Sequence, residues 1–299
     1  MSRSNAVEIY FKRSDGREFY INKGDTPDWK IPSKGLEGFG DFTNDISATA
    51  NAIGDGDILN SCRVGKKDRT IKAISRNKNM NDVLRREACS FFSPKYDYEV
   101  YLTYMGLTRW FEGKLHKYKL PTANINKDME LTLTFMSMNP YLKSYDNFGK
   151  NIAEVEPLLA FPFICPISTA PDGIRKGLTG GKFNFARMVT VENDGDIETY
   201  CKCVIEASAE VVNPKIMIND GYVRVLDTMQ QNDVIEIDFT VAPPTVRKNG
   251  VNYVGHCDRS STFDEMVIPL GDNTISFDAD NGSNQMRVNV YYNKLYATI

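Results

Sequence analysis

The chain has 299 residues, of which 41% are apolar and 25% are charged, a composition that is typical of a folded protein and excludes a disordered one. The first residues contain no apolar stretch of the kind found in a signal peptide, and no run approaches the roughly 18 apolar residues of a membrane span. We therefore expect a protein that folds in the cytoplasm, does not insert into a membrane and keeps its six cysteines reduced.

The charge is distributed unevenly along the chain. Residues 1–150 hold 24 Lys and Arg against 19 Asp and Glu, whereas the remaining residues hold 12 against 20. A basic half followed by an acidic half favours two separately packed domains. The densest basic stretch, CRVGKKDRTIKAISRNKN, contains no aromatic residue that would stack on bases, so we expect no sequence-specific binding of nucleic acid.

The first half predicts a strand-rich domain. VEIYFKR and REFYINKG flank Ser-Asp-Gly and predict a β-hairpin, because Asp-Gly tolerates the positive φ of a tight turn. Residues 26–56 predict loops and short strands, and IGDGDIL predicts a turn. DRTIKAISRN predicts an edge-like strand. YEVYLTYMG and TRWFEGKLHKYKL predict a strand pair joined through Gly106, and MELTLTFMSM predicts a strand that ends at Asn139-Pro140.

One helix is predicted in this half, in NMNDVLRREACSFFSPK. Asn81 or Asp82 is expected to cap its N-terminus, and Pro94 stops the pattern. Its buried face is expected to consist of residues at helical spacing: Val83, Leu84, Ala88 and Phe91.

The second half predicts a sandwich. Short alternating runs such as MVTVE, YVRVLD, DVIEIDFT and MRVNVYY are separated by turn residues at about the 8–12-residue spacing of such folds. The predicted fold class is mainly β: an N-terminal β-sandwich or split barrel with one helix, followed by a β-sandwich. The predicted boundaries are residues 1–145 for the first domain, 146–159 for a linker and 160–299 for the second domain.

The stretch VENDGDIETYCKCVIEA raises the question of a metal site. Asn193, Asp194 and Asp196 precede two thiols, Cys201 and Cys203, which share one face of a strand because side chains alternate. A structural zinc site needs four ligands, and here the second pair is missing. We therefore predict a turn followed by a strand with two buried cysteines, and no metal.

No catalytic constellation is recognisable. The two histidines, His116 and His256, lie in different halves and outside any hydrolytic signature. GLTGGK lacks the pattern of a phosphate-binding loop. A pair of carboxylates for glycoside hydrolysis stays open, although nothing in the sequence selects one. We predict no catalytic residue and no cofactor.

The first half resembles the N-terminal domain of siphophage-type distal tail proteins of Gram-positive hosts. The resemblance is carried by DRTIKAI, LRREACSFFSPK, YEVYLTY, TRWFEGKL and LTLTFMSMNPYLKS, in that order, over nearly all of residues 1–145. The positions that match the family's motifs are Arg85, Arg86, Phe91, Phe92, Pro94, Arg109, Gly113, Pro140 and Tyr141.

The second half is similar to the galectin-like sandwich that follows in the same family. VENDGDIETYCKCVIEA, INDGYVRVLDTMQQNDVIEID and FDEMVIPLGDNTISF match its motifs in order, although Tyr200 and Cys201 stand where the family often has proline. The matching positions are Asn193, Gly195, Asp196, Asp238, Gly271 and Asn273.

The resemblance implies a structural protein of a phage tail, or of a phage-derived tailocin, located at the virion tail tip. In such proteins six copies form a ring that joins the tail tube to the tail tip or baseplate. The implied partners are other copies of the chain, tail-tube protein, tail-associated hub protein, and receptor-binding or baseplate proteins carried by the galectin-like domain. The family role implies no catalytic residue, so the chain is expected not to be an enzyme.

An alternative function stays open at this point, because galectin-like sandwiches elsewhere bind sugars. The C-terminal half would then be a carbohydrate-binding module that contacts the host surface. It contains no tryptophan, but four tyrosines are candidate platforms: Tyr222, Tyr253, Tyr291 and Tyr292.

Overall fold

Antiparallel strands make up most of the molecule. The computed structural model describes residues 7–51, 54–75, 80–122, 128–145, 148–151, 154–156, 182–184 and 188–299. Over these residues the fold is mainly β with one α-helix and a nearly closed, barrel-like sheet, so the predicted fold class is confirmed. Contacts divide the chain into two compact units: unit 1 comprises Met1–Asp146 with Lys294–Ile299, and unit 2 comprises Asn147–Asn293.

The elements are numbered in chain order. They are β1 (Val7–Arg13), β2 (Glu18–Ile21), β3 (Trp29–Lys30), β4 (Leu36–Glu37), β5 (Asn44–Ala50), β6 (Asp57–Val64), β7 (Lys67–Ser75), α1 (Asn81–Phe91), β8 (Asp97–Tyr104), β9 (Leu107–Lys119), β10 (Glu130–Ser137), β11 (Leu142–Ser144), β12 (Phe148–Asn151), β13 (Glu154–Glu156), β14 (Lys182–Asn184), β15 (Met188–Asn193), β16 (Cys201–Ala207), β17 (Val211–Val212), β18 (Lys215–Ile218), β19 (Gly221–Arg224), β20 (Thr228–Met229), β21 (Val234–Asp238), β22 (Thr245–Lys248), β23 (Val251–Asn252), β24 (Gly271–Asp278), β25 (Met286–Tyr292) and β26 (Leu295–Tyr296).

Unit 1 is built on a ten-stranded sheet with the order β2-β1-β8-β9-β10-β7-β3, to which β4, β11 and β26 add at the sides. The predicted hairpin is present as β1 and β2, with Gly16 at φ 87° in its turn. The predicted pair β8 and β9 is joined through Gly106 at φ 88°. The edge-like assignment of DRTIKAISRN was wrong, because β7 pairs with β10 on one side and with β3 and β4 on the other.

The helix α1 covers an aromatic core. Leu84, Ala88 and Phe91 are buried as expected, but Val83 is 49% exposed because it lies just outside the buried stripe. The predicted cap is also wrong: Met80 occupies the N-cap position without a side-chain cap, and the Asn81 side chain bonds Ser75 instead.

The C-terminal end of α1 is held by a buried arginine from β1. Arg13 Nη1 donates to the carbonyl oxygens of Ser90 at 3.0 Å and Phe91 at 2.6 Å. A cation at the last carbonyls satisfies unpaired acceptors and opposes the helix dipole. Arg13 also bonds Asp15 in the hairpin turn, and this ion pair lowers the pKa of Asp15 to about 2. The turn and the helix are therefore fixed by one side chain.

Unit 2 is a sandwich of two antiparallel sheets. One has the order β12-β25-β16-β21-β22-β23 and the other the order β15-β24-β18-β19. Strands such as β16 alternate buried and half-buried residues along their length, so one face of each sheet contributes to the shared apolar core. Within residues 146–159, where the sequence predicted a linker, Phe148–Asn151 forms β12 and pairs with β25.

The last residues of the chain belong to unit 1. Strand β26 pairs with β11, with Leu142 opposite Tyr296 and Lys143 opposite Leu295. The Ile299 amide donates to the carbonyl of Phe39 at 3.2 Å. The first unit is thus completed by a segment that is almost 150 residues away from the rest of it in sequence.

Candidate assembly interface

A β-hairpin in unit 1 stands apart from the packed sheet. Strands β5 and β6 pair with each other as a separate two-stranded sheet, and we call residues 44–51 and 54–64 the arm. All residues of β5 and all of β6 except Val64 are exposed. The large apolar side chains are among them: Ile46 is 65% exposed, Leu59 63% and Ile58 57%.

The two faces of the arm differ in chemistry. The register places Ile46 opposite Cys62 and Ala48 opposite Leu59, so these four side chains form one apolar face. The other face is mostly polar, since Asp45 lies opposite Arg63 and Ser47 opposite Ser61, although Ile58 lies opposite Thr49 toward the turn. On that polar side Asn60 Nδ2 donates to Thr49 Oγ1 at 2.6 Å. The arm is therefore an amphipathic hairpin with an uncovered apolar face.

An uncovered apolar face of this kind is typical of a binding surface. An isolated two-stranded hairpin is marginally stable in water and gains stability when its apolar face packs against something. Within the described part of the chain, neither Ile46 nor Leu59 belongs to an apolar core cluster. Exposed apolar patches of this kind mark protein contacts more often than isolated apolar residues do.

The family-motif residues of unit 1 hold the fold together and do not converge on a cleft. The Arg85 guanidinium donates to the carbonyl oxygens of Leu120 and Pro121, both at 3.1 Å, and so ties α1 to the end of β9. Phe91 and Phe92 lie in the core, and Pro94 is exposed after the helix.

The other unit 1 motif positions lie along β9 and after β10. Gly113 permits a close approach, because a Cβ there would meet the Met136 oxygen at 3.1 Å. Pro140 accepts a hydrogen bond from Arg69, and the amide of Tyr141 donates to Asn139 Oδ1 at 3.0 Å. Arg86 is exposed on α1.

The motif residues of unit 2 shape turns. Asn193 is buried; its Oδ1 accepts from the Gly195 amide at 3.1 Å and its Nδ2 donates to the Ile268 oxygen at 3.0 Å. Asp196 is exposed, and Asp238 Oδ1 accepts from the amide and hydroxyl of Thr240. Gly271 has φ 90°, which favours glycine at the start of β24.

Asn273 completes this set of turn residues. It is buried, and its Nδ2 donates to the carbonyl oxygens of Pro269 at 2.8 Å and Gly271 at 2.9 Å. Asparagine side chains that bond nearby backbone are typical of turns. The stretch from Asn193 to Asp196 is therefore a turn, as the sequence predicted. The expected hairpin between MVTVE and TYCKCVIEA was wrong, because β15 pairs with β24 in one sheet and β16 pairs with β21 and β25 in the other.

Cys201 and Cys203 lie on the inner face of β16, as expected. Both are fully buried, and their sulfur atoms are 3.7 Å apart. The hydrogen bond with Cys203, together with burial, raises the pKa of the Cys201 thiol. Among the described residues, no group of three or more His, Cys, Asp or Glu side chains is placed to hold a metal ion, and no helix is long and apolar enough to cross a membrane.

We expect iodoacetamide to alkylate the exposed cysteines of the native protein faster than the buried ones. Cys62 and Cys89 are exposed and are expected to react first, whereas Cys201 and Cys203 are expected to react only after denaturation. Burial raises the pKa of Cys257 to about 11, so its thiolate is scarce at neutral pH and its alkylation should accelerate as the pH rises toward that value. Mass spectrometry of the labelled peptides reads each site. Labelling of Cys201 as fast as that of Cys62 would contradict the burial.

Arg109 of β9 holds the last residues of the chain, 294–299, which we call the C-terminal return. Its guanidinium donates to the carbonyl of Thr298, and its Cζ lies 3.7 Å from the centroid of the Tyr296 ring. A charged hydrogen bond and a cation–π contact therefore both hold residues 294–299 against unit 1.

Replacing Arg109 with Met is expected to destabilise unit 1 by about 2 kcal/mol, because both contacts are lost. Urea unfolding followed by tryptophan fluorescence measures this directly, since both tryptophans, Trp29 and Trp110, belong to unit 1. The matched control is Arg86→Met at an exposed position of α1, which should change the free energy of unfolding by less than about 0.5 kcal/mol. Equal effects of the two substitutions would show that the return adds no stability.

The tyrosines proposed as sugar platforms are mostly engaged. Tyr292 is buried, Tyr222 donates to Ser260 Oγ at 2.8 Å, and Tyr253 stacks on His256 with ring centroids 3.9 Å apart. Tyr291 is the exposed one of the four. These positions do not form a row of free aromatic faces.

The second half of the chain matches a known family model. Residues 194–296 match the family model of the siphovirus-type tail component, C-terminal domain. This match covers the turn at Asn193–Asp196 almost entirely and the strands from β16 to β26. Among curated proteins, no sequence relative matches the chain.

Solved structures then extend the likeness to the whole chain. The Dit (gp 19.1) protein of SPP1, described as a paradigm of the hub adsorption apparatus in phages that infect Gram-positive hosts, aligns over 96% of this chain and 98% of its own, with 11% identity and a TM-score of 0.62. A chain of the phage P2 baseplate in its activated conformation with Ca aligns over 98% of this chain and 99% of its own, with 12% identity and a TM-score of 0.54. At these identities the structures show a shared fold. Together with the family match, they confirm the resemblance to siphophage distal tail proteins.

Proposed function

We propose that this chain is a structural distal tail protein whose copies form a ring of six at the end of a phage or tailocin tail. The ring joins the tail tube to the tail tip or baseplate and the hub protein, and unit 1 forms it. The chain carries no catalytic role in this proposal. The family match, the shared fold and the arm support it.

The observation that carries the proposal is the uncovered apolar face of the arm. In this proposal the arm of one copy packs on a different part of the next copy, which makes the contact heterologous. Heterologous contacts between identical copies repeat from one copy to the next and close into a ring when the rotation allows it. One arm per copy therefore provides one contact per copy around a ring.

Unit 2 is proposed to face outward and to carry receptor-binding or other baseplate proteins. The outer faces of its β16, β21 and β25 strands carry charged pairs, including Lys202 with Glu236 at 3.1 Å and Arg287 with Glu206 at 3.8 Å. Such a polar face suits a domain that remains in solvent and makes reversible contacts.

The location of the chain in a particle tests the proposal. Antibody raised against the purified chain and coupled to gold is applied to intact particles and viewed by electron microscopy. We expect the gold at the end of the tail, where tube and tip meet. Labelling on the head or along the tail shaft would contradict the proposal, and an unrelated antibody of the same class serves as the control.

The sugar-binding alternative receives less support from the tyrosine positions. We therefore expect the full-length protein to give no specific signal on a glycan array that includes host cell-wall polysaccharides. A saturable signal that is lost in Tyr291→Ala would restore the alternative, because Tyr291 is the exposed ring among the four candidates.

A further inference from the structure

Two cations lie inside unit 1 at the root of the arm, where β6 passes into β7. Lys67 and Arg69 are separated by one residue on β7, so both side chains point toward the interior. Arg69 is 1% exposed, and the Lys67 side chain is 11% exposed. The inner face of β7 is apolar further along the strand, at Ile71 and Ala73, and becomes cationic here.

Most donors of this pair lack an acceptor. Arg69 Nη2 donates to the Pro140 oxygen, and the guanidinium packs over the Phe111 ring with Cζ 4.5 Å from the centroid. Within the described part of the chain, Arg69 Nε, Arg69 Nη1 and Lys67 Nζ are buried and have no hydrogen-bond partner. Buried polar groups are almost always hydrogen-bonded, so three free donors on two neighbouring cations call for a missing acceptor.

The charge of the pair is also poorly balanced. Asp41 is the one carboxylate that the described residues place beside it, with Oδ1 3.8 Å from Lys67 Nζ, too far for a hydrogen bond. Its side chain is 75% exposed, so solvent weakens its effect. Burial lowers the pKa of both Lys67 and Arg69, for Arg69 to about 10, which agrees with cations that are incompletely compensated. A water molecule would satisfy donors but would leave the charge unopposed.

We propose that Lys67 and Arg69 form a binding site for an oxoanion, entered beside Asp41. The ligand class is a phosphate-like ion or a carboxylate, because such oxygens accept charged hydrogen bonds from both ammonium and guanidinium groups. The acceptor comes either from a free ion or from an acidic side chain of another copy of the chain. Since the site lies where the arm begins, its occupation stiffens the base of the arm.

Thermal unfolding of the full-length protein tests the site with inorganic phosphate and with acetate, each against chloride at equal ionic strength and neutral pH. The protein is diluted until light scattering shows a monomer. We expect phosphate to raise the melting temperature of unit 1, followed by tryptophan fluorescence, by about 2–4 °C at saturation. Lys67→Met should abolish the rise and, in chloride, should not lower the melting temperature, because it removes a buried charge that is balanced only by the exposed Asp41.

Two further variants complete the test. Lys66→Met, at the exposed neighbouring lysine, should retain the phosphate response, and Lys67→Arg should preserve it. If an acidic side chain of another copy supplies the acceptor, the monomer will not respond, and Lys67→Met will weaken self-association at least tenfold relative to Lys66→Met. Equal responses of the wild type and Lys67→Met would reveal a general salt effect only and would overturn the site.

The proposed site would also be overturned if phosphate did not raise the melting temperature of the monomer and Lys67→Met did not weaken self-association. The phosphate response is measured on the monomer, so its absence does not bear on the proposed ring. Conversely, a protein that never forms rings can still show the response.

Discussion

Placing an aspartate on the apolar face of the arm is expected to abolish ring formation while leaving the fold intact. Burying Ile46 or Leu59 at a contact contributes about 1.5–3 kcal/mol each, and a buried unpaired carboxylate adds a further penalty. Ile46→Asp and Leu59→Asp should therefore each weaken association at least about 100-fold. Light scattering across a dilution series measures the shift toward the monomer.

The polar face of the same hairpin provides matched controls. Ser47→Asp and Ser61→Asp each introduce the same charge on the other face of the hairpin, where these two serines lie opposite each other. They should assemble like the wild type, apart from a small effect of charge that salt removes. Circular dichroism should be unchanged in all four variants, because every one of these positions is exposed. Equal loss of assembly on both faces would contradict a contact through the apolar face.

Phe92→Ala is expected to be the most destabilising single substitution in unit 1. The Phe92 ring is buried and lies within 4.9–6.4 Å, centroid to centroid, of six other rings: Phe11, Phe19, Phe91, Tyr98, Tyr118 and Phe135. Removing a buried phenyl ring costs about 3–5 kcal/mol, a large part of the roughly 5–15 kcal/mol by which a domain is stable. Urea unfolding followed by tryptophan fluorescence reports the loss in unit 1.

Phe42→Ala is the matched control for this experiment. The Phe42 side chain is exposed just before the arm, so its removal should change the free energy of unfolding by less than about 0.5 kcal/mol. A loss below about 1 kcal/mol for Phe92→Ala would mean that the aromatic cluster is not the centre of the core.

The elements with a strong local signal were predictable. Asp15-Gly16 required the positive φ of a tight turn, and the spacing of Leu84, Ala88 and Phe91 identified α1 and its buried side. The alternation around Cys201 and Cys203 correctly indicated a strand that buries both thiols. In each case neighbouring residues alone determine the conformation.

The arm and the C-terminal return were not predictable in the same way. NDISATA alternates, but its apolar members are small or isolated and all seven residues are exposed, so the pattern carries no burial signal. Strand β26 is two residues long and pairs with β11, which precedes it by about 150 residues, a relation that local patterns do not contain. The inward position of Arg69 was not predictable either. Charged residues that alternate along a strand suggest an edge strand, so the sequence pattern pointed away from a buried arginine.

The central claim is that copies of this chain associate through unit 1 into a ring, and negative-stain electron microscopy of the purified protein tests it most directly. We predict closed rings with six-fold symmetry at high protein concentration, together with a mass of six copies by light scattering. Particles that remain monomeric at every concentration and salt condition, with no rings in the class averages, would contradict the account.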